Sequence, residues 1–409
     1  MDFFKKHFKG DPNIWAIIIG LSVFSLLAVY SSTGTLAYKW SGGNTATYII
    51  RHGIFLFVGL FAAFIIHKFP YKYYARLSQI LILFIPVLLL ITLLAGVDEN
   101  DATRRLSILG MTFQTSDLAK LVLIMFLAQR LASRQNQILN FKETLLPMFI
   151  LIGVICALIL PANFSTAALL FLTSVVLLFV GRASFKQLSG LCAITLVLVL
   201  LLVGGLYGLQ KAGVNNVITQ RASTWVNRVE RFFSDEQEEN ADLVENYQPL
   251  QAKIAVGTSG FFGKGPGNSV QRNFLPHPYS DFIFAIIIEE WGILGGMLVL
   301  FLYLNLLYRT VLIVRKCDKT FPAFLAIGLA FSIVFQAMIN MMVAVGLIPV
   351  TGQPLPLISM GGTSILFTGI TFGIILGISR EVREQEERKL RQEARASVSG
   401  DIDPVPQAI

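Results

Sequence analysis

Long apolar runs alternate with short polar connections from residue 13 to residue 379 of the chain. A helix needs about 20 predominantly apolar residues to cross the hydrocarbon core of a bilayer. Ten windows have about that length, at 13–33, 49–67, 78–96, 117–133, 145–161, 166–181, 188–209, 281–308, 321–345 and 364–379. The pattern predicts an all-α integral membrane protein of about ten transmembrane helices, with residues 1–379 forming one polytopic domain.

The composition agrees with this interpretation. Hydrophobic residues make up 54% of the 409 residues and charged residues only 14%. One soluble core would not hide that much apolar surface. The net charge of +8 would also suit a nucleic-acid-binding protein, but basic residues in a polytopic protein mostly mark its cytoplasmic connections. We therefore expect membrane lipid around the chain and no nucleic acid as partner.

The positions of Lys and Arg predict the orientation. Basic residues precede the first window and then fall in every second connection, so the positive-inside rule places both termini in the cytoplasm. The long connection of about 210–280, between the seventh and eighth windows, then lies outside. Residues 380–409 are predicted to be a cytoplasmic tail that begins as a charged helical continuation and is partly disordered.

Cysteines and histidines provide no metal site. The chain has three cysteines and four histidines, and none of them follows the spacing of a metal-binding cluster. We expect no tightly bound cofactor.

The first candidate site follows the third window, in the run NDATRRLSILGMTFQTSDLAK. Arg104 and Arg105 depart from the positive-inside pattern, and Lys120 falls in an apolar window, where a cation needs an anionic partner or a cavity. Guanidinium groups and an ammonium can together bind a pyrophosphate. Alternatively, Asp117 and nearby acids pair with these cations structurally.

A second candidate region combines broken backbone with buried charge. Prolines and glycines interrupt the segment GLIPVTGQPLPLISMGGTS, and such backbone at membrane depth persists only inside protein or beside a water-filled cavity. Glu289 and Glu290, in the eighth window, need partners, for which Arg51 and His52 are available. A network that locks helices together is the favoured interpretation of these glutamates.

Several motifs, in order, resemble those of the SEDS family (shape, elongation, division and sporulation), the polytopic peptidoglycan polymerases of bacteria. They are ATRRLSILG with SDLAK, YQ, GFFGKGPGNSVQ, FLP, SDFIFA, EEWG and GLIPVTGQPLPLISMGGTS. The spacing of the glycine-rich motif does not fit a nucleotide-binding P-loop. GNSVQ and RVERFF are more similar to the cell-division members than to the elongation members, and an elongation-type polymerase is kept as an alternative.

The resemblance implies that the substrate is lipid II, an undecaprenyl-pyrophosphate-linked disaccharide pentapeptide. The acceptor 4-hydroxyl would attack the anomeric carbon of the donor chain, with inversion and departure of the lipid pyrophosphate. Mg²⁺ or Mn²⁺ could assist the pyrophosphate. The implied substrate-binding residues are Arg104, Arg105, Lys120, Gln248, Lys264, Asn268, Ser269, Gln271, Asp281, Ser359, Gly361 and Gly362.

The family's general base is expected to be an aspartate shortly before the YQ pair, and Asp242 is the nearest match here. It lies one residue closer to Tyr247 than the family pattern and precedes Leu243 instead of proline. The other acids in this run remain alternatives: Asp235, Glu236, Glu238, Glu239 and Glu245.

The resemblance also implies partners and a location. The chain holds no penicillin-binding S-x-x-K set, so a class B penicillin-binding protein would supply transpeptidation, together with other division proteins. The expected location is the bacterial inner membrane, at the division septum. A lipid II flippase or transporter, with charges at mid-membrane and repeat symmetry, and a non-catalytic division scaffold remain alternative functions.

Overall fold

The computed structural model describes residues 8–34, 46–99, 102–108, 111–214, 216–233, 243–275 and 278–400. This part of the chain is almost entirely helical. Its long helices are α1 Pro12–Ser32, α2 Ala46–Ile66, α3 Tyr71–Ala95, α4 Thr115–Ser133, α5 Leu146–Ile159, α6 Phe164–Val180, α7 Phe185–Lys211, α8 Val217–Phe233, α9 Leu243–Gly257, α10 Ile283–Arg315, α11 Thr320–Ala344 and α12 Thr363–Gly400.

Each of the ten predicted windows coincides with one of these helices, and α8 and α9 are additional. Eight helices in the described part of the chain are long and apolar enough to cross a membrane. Two of the predicted spans are outside this set: α4 carries three charged side chains, and α6 has 17 residues. The membrane-spanning helical fold is confirmed, whereas the number of ten spans stays a prediction.

Two helix pairs organise the core. α2 packs along α12, and α10 packs along α11, which in turn contacts α4, α6 and α12. Large side chains of these helices are fully buried, among them Leu123, Ile124, Tyr303 and Phe372. Because lipid is as apolar as these side chains, such packing depends on close fit and on hydrogen bonds between helices.

Helix α7 contrasts with this core. It has 27 residues, and of these, all of which the structure describes, only Leu188 is buried. It packs mainly against α8. An apolar helix exposed on nearly every side is stable in a bilayer but not in water.

One end of the bundle, called the loop end here, carries the connections that follow α3, α7 and α11. A three-stranded antiparallel sheet follows α3, with β1 Val97–Glu99, β2 Ala102–Ile108 and β3 Met111–Gln114. The predicted long connection of 210–280 contains α8, α9 and a 3₁₀ turn at Gln271–Asn273. α9 packs against α10 and α11, so this connection is a folded part of the bundle.

At the opposite end, α12 continues past the bundle as the charged helix that the sequence predicts. Glu381 accepts a hydrogen bond from the Tyr71 amide (2.9 Å), which ties the tail to the start of α3. Lys389 pairs with Asp318 (2.8 Å) in the turn between α10 and α11. The tail helix therefore contacts two other connections at this end, while residues 401–409 lie outside the described part of the chain.

Candidate functional site

The proline- and glycine-rich segment 346–364 enters the bundle from the loop end. Gln353, Ile358 and Ser359 are buried, and the Ser359 hydroxyl donates to the Ser280 carbonyl (2.7 Å), just before α10. Of the two settings expected for this broken backbone, inside protein or beside a water-filled cavity, the buried residues show the first. The segment fills the space between the start of α10 and the end of α11.

Helix α10 is broken at Gly292, whose φ of 70° and ψ of −173° are not helical. Residues 283–290 are all buried, so the first part of α10 lies inside the bundle. A broken helix at membrane depth needs new partners for its freed main-chain groups. The glycine-rich loop provides them through four bonds, from Lys264 N to Glu289 O (2.9 Å), Gly265 N to Glu290 O (2.9 Å), Ile293 N to Gly260 O (3.3 Å) and Leu294 N to Phe261 O (3.4 Å).

The loop and the break approach so closely that each requires glycine. A Cβ on Gly263 would overlap the Glu290 carbonyl, and a Cβ on Gly292 would overlap the Phe261 carbonyl. Both residues also have positive φ, which disfavours any side chain. The glycine-rich motif thus forms main-chain hydrogen bonds with α10 on both sides of its break.

Glu289 is fully buried and accepts several hydrogen bonds from the same loop. Lys264 Nζ lies 2.7 Å from its Oε1, and the amides of Val270 (3.1 Å) and Gln271 (3.2 Å) also donate to the carboxylate. The Ser269 hydroxyl donates to Oε2. A buried carboxylate requires such compensation, so Glu289 holds the loop against α10.

Glu290 joins this loop to α1. Its carboxylate accepts hydrogen bonds from the Ser31 hydroxyl and from the Ser269 amide (3.3 Å). Arg272 Nη1 lies 4.0 Å from it and donates to the Ser31 carbonyl (2.9 Å). The prediction of a helix-locking network around the two glutamates is confirmed.

The predicted partners of these glutamates are wrong. His52 Nε2 lies 2.7 Å from the Ser25 hydroxyl, which also donates to the Ile358 carbonyl (2.9 Å), and Arg51 is exposed. The reason is geometric: the buried side of α2 faces α12 and α1, whereas the glutamates face the glycine-rich loop.

Lys120 lies in the second turn of α4 and is mostly buried. Its ammonium donates to Gln336 Oε1 (2.7 Å) on α11 and lies 3.4 Å from Asp117 Oδ1. Gln336 in turn donates to the Pro354 carbonyl (2.9 Å). The structural pairing with Asp117 therefore exists, but the shorter contact is to the neutral amide of Gln336, beside segment 346–364.

Asp281 directly precedes the buried part of α10. Its main-chain carbonyl accepts a hydrogen bond from Asn340 Nδ2 (2.7 Å), which also donates to the Gln353 carbonyl (2.7 Å). Oδ1 of Asp281 accepts from the Ser280 hydroxyl (2.9 Å), and Gly352 lies beside Oδ2. Lys120 and Asp281 are thus connected through α11 and segment 346–364.

The other predicted site residues are distributed over the loop end. Lys264, Ser269 and Gln271 contact Glu289, as described, and Asn268 donates to the Lys264 carbonyl (3.0 Å). Gln248 lies half-buried on α9, and Gly361 and Gly362 precede α12. Arg104 and Arg105 lie in β2, where Arg105 pairs with Gln114 of β3. Asp242, the predicted base, lies outside the described residues.

Two residues of this network were not predicted. Gln336 and Asn340 are buried amides, four residues apart, in a helix that is otherwise almost wholly apolar. Polar side chains inside membrane helices usually mark function or helix contacts, so their spacing was a usable signal.

Comparison with known proteins identifies the family. The sequence model of a family described as cell cycle protein, named for FtsW, RodA and SpoVE, matches residues 12–384. The chain belongs to the FtsW/RodA/SpoVE family. The glycine-rich loop, both parts of α10 and segment 346–364 all lie within the matched region of this family.

Curated members of the family match over most of their length. A protein of Aliivibrio salmonicida named "Probable peptidoglycan glycosyltransferase FtsW" is 30% identical, over 90% of this chain and 88% of that protein. A Coxiella burnetii protein of the same name is 32% identical, over 92% and 98%. Stage V sporulation protein E of Bacillus subtilis is 31% identical, over 92% and 99%.

Solved structures share the fold. A chain from a structure titled "Structural coordination of polymerization and crosslinking by a peptidoglycan synthase complex" aligns with a TM-score of 0.65 and 25% identity, over 91% of this chain and 98% of that chain. The Thermus thermophilus rod shape determining protein RodA aligns with a TM-score of 0.64 and 23% identity, over 91% and 97%. The fold of FtsW/RodA/SpoVE proteins therefore extends over nearly the whole chain.

Proposed function

We propose that this chain is a peptidoglycan glycosyltransferase that polymerises lipid II into glycan strands at the outer face of the cytoplasmic membrane. The observation that carries the proposal is the connected network at the loop end, in which a buried cation, Lys120, and a carboxylate, Asp281, are held by the same helix. The names of curated relatives support the same activity.

The chemistry requires one group for the leaving pyrophosphate and one for the attacking hydroxyl. Lys120, with Arg104 and Arg105 of β2, would bind the negative pyrophosphate of the donor. A carboxylate would remove the proton of the acceptor 4-hydroxyl as its oxygen forms a bond to the anomeric carbon. The bond from that carbon to the pyrophosphate oxygen breaks, and the lipid pyrophosphate leaves.

Two aspartates are candidates for this base. Asp242 comes from the family pattern. The second candidate is Asp281, because it directly precedes the buried part of α10 and lies next to Gly352 of segment 346–364. A base must be held where substrate is bound, so a base role for Asp281 requires that lipid II binds beside segment 346–364.

A lipid II flippase is the second candidate function. The broken helix α10 favours it, since discontinuous helices are common at transporter substrate sites. The two functions differ in outcome, because a flippase moves lipid II between leaflets without joining its sugars.

The division role and the partners are part of the proposal. Several relatives are named FtsW, which supports division over elongation and a location at the septum. A class B penicillin-binding protein, with other division proteins, is the proposed partner for cross-linking.

We propose no resident metal. Among the residues that the structure describes, no three His, Cys, Asp or Glu form a group that could hold an ion. Mg²⁺ or Mn²⁺ would enter with the pyrophosphate of lipid II, since Mg²⁺ commonly binds through substrate phosphates.

The direct test uses the purified chain with its class B partner in vesicles that contain fluorescent lipid II. We expect a ladder of glycan polymers on a gel. In the same vesicles made without the partner, an impermeant quencher added outside reports flipping, because it quenches inner-leaflet lipid II only after that lipid has moved to the outer leaflet. Lipid movement without polymer in either preparation would favour the flippase.

The proposed orientation places the loop end outside and both termini in the cytoplasm. In a chain that lacks Cys156, Cys192 and Cys317, a cysteine at Ala212, just after α7, should react in intact cells with an impermeant thiol reagent. Lys319→Cys, between α10 and α11, should react only after lysis. Both positions are exposed.

Cys317 lies in the same turn as Lys319 and is removed so that only the introduced cysteine can react. The native thiol would itself react slowly. Burial raises the pKa of the Cys317 thiol to about 11, and only the thiolate reacts. Labelling of Lys319→Cys in intact cells would contradict the orientation.

A further inference from the structure

Helix α11 carries two buried amides one turn apart. The exposed fraction is 4% for Gln336 and 1% for Asn340. Residues four apart on a helix lie above one another on the same face. Burying an amide costs free energy unless its polar atoms are hydrogen-bonded, so the partners of these two side chains indicate what they do.

Each amide binds one of two consecutive carbonyls in segment 346–364. Gln336 Nε2 donates to Pro354 O (2.9 Å), and Asn340 Nδ2 donates to Gln353 O (2.7 Å). Gln353 itself donates to the Thr166 hydroxyl of α6 (2.8 Å). These contacts fix a non-helical segment against a rigid helix at two adjacent residues.

Each amide also contacts one of the two residues assigned to the reaction. Gln336 Oε1 accepts from Lys120 Nζ (2.7 Å), and Asn340 Nδ2 donates to the Asp281 carbonyl (2.7 Å). Lys120 belongs to α4, and Asp281 precedes α10. One turn of α11 therefore connects the cation and the aspartate, which come from distant parts of the sequence.

We propose that Gln336 and Asn340 are positioning residues that set the spacing between Lys120 and Asp281. This inference rests on the proposed function, in which Lys120 binds the leaving pyrophosphate and Asp281 removes the proton from the acceptor. A misplacement of about 1 Å between reacting groups can reduce a rate about 10²-fold, so the spacing matters more than either contact alone.

The chemistry of the two amides fits this role. A neutral amide oxygen orients the ammonium of Lys120 and adds no negative charge to that of Asp117, which already lies 3.4 Å away. A carboxylate in place of the amide would add a second negative charge. Asn340 acts on a main-chain carbonyl, so it fixes where the Asp281 residue stands without touching the carboxylate.

The two residues should therefore affect different kinetic constants. Gln336→Glu keeps the shape of the side chain and adds a charge that pairs with Lys120, so KM for lipid II should rise about tenfold with kcat near that of the wild type. Asn340→Asp keeps the shape but removes the donor, so kcat should fall about 10- to 100-fold with KM little changed.

Additional variants separate positioning from folding. Gln336→Met removes the polar group without adding buried charge and should also raise KM. When combined with Lys120→Ala, it should add little further effect, because Gln336 acts through Lys120. Ser332→Ala, one turn earlier on the same face of α11 and also buried, is the control and should retain the kinetics of the wild type.

The measurements are steady-state polymerisation of fluorescent lipid II by the chain with its partner, together with the thermal midpoint of each variant in detergent. Unchanged KM and kcat in the Gln336 and Asn340 variants of an active protein would overturn the inference. A rise in KM together with falls in kcat and in the thermal midpoint would also overturn it, because that combination indicates a purely structural role. A wild-type chain that forms no polymer would instead overturn the proposed function, and the inference with it.

Discussion

Asp281→Asn should abolish glycan-chain formation while the protein still inserts, accumulates and binds its partner. The substitution keeps the size of the side chain and an acceptor for the Ser280 hydroxyl, but it removes the carboxylate that we propose as the base. Loss of a general base costs about 10²- to 10⁴-fold in rate. Polymer formation from lipid II by the purified variant measures the effect, and raising the pH should not restore the rate, because an amide does not ionise.

Asp242→Asn is the matched comparison, since it tests the aspartate that the family pattern favours. A dead Asp281→Asn beside an active Asp242→Asn would assign the base to Asp281, and the reverse result would assign it to Asp242. Glu238→Gln and Glu245→Gln serve as controls for the acidic run around Asp242. Near-normal polymerisation by both aspartate variants would contradict a carboxylate base at the loop end and strengthen the case for a flippase.

Gly292→Ala and Gly263→Ala should destabilise the protein more than any other single change at the loop end. Each new Cβ would overlap main-chain atoms that cannot move aside, so the loop and the broken helix would separate. Four main-chain bonds would weaken, at about 1 kcal/mol each, and an alanine at positive φ costs about 1–2 kcal/mol more. The thermal midpoint in detergent and the yield of monodisperse protein measure the loss.

Gly267→Ala isolates the cost of positive φ. Gly267 lies in the same loop with φ of +79°, but a Cβ there meets no atom within 4 Å. We expect a loss of about 1–2 kcal/mol for this variant. If all three alanine variants unfolded at the same temperature, the close approach of Gly263 and Gly292 would not be the cause of their effect.

The sequence predicts the membrane helices well because the physical rule behind them is local. An apolar run of sufficient length forms a helix in a bilayer whatever its neighbours are. The prolines and glycines of segment 346–364 likewise indicate non-helical backbone locally, and buried residues such as Gln353 and Ser359 show that protein encloses part of it.

The missed features depend on contacts between distant residues. The sequence does not predict the break at Gly292, which falls within the eighth window. Nothing local in GFFGKGPGN or EEWG indicates that these two motifs contact each other. The strands around Arg105 were missed because β2 and β3 are short and mostly polar. The partners of Glu289 and Glu290 were wrong for a similar reason: sequence indicates that a buried acid needs a cation, not which cation folds next to it.

The exposure of α7 has a consequence for how the protein responds to its membrane. The apolar window of α7, residues 188–209, is about 33 Å long as a helix, which slightly exceeds the roughly 30 Å thickness of a typical hydrocarbon core. Since α7 contacts little of the bundle besides α8, hydrophobic mismatch with the surrounding lipid contributes to its tilt. α8 follows α7 in the chain and packs on it, so a thicker or thinner bilayer would shift α8 as well, and acyl-chain length becomes a physical variable of the loop end.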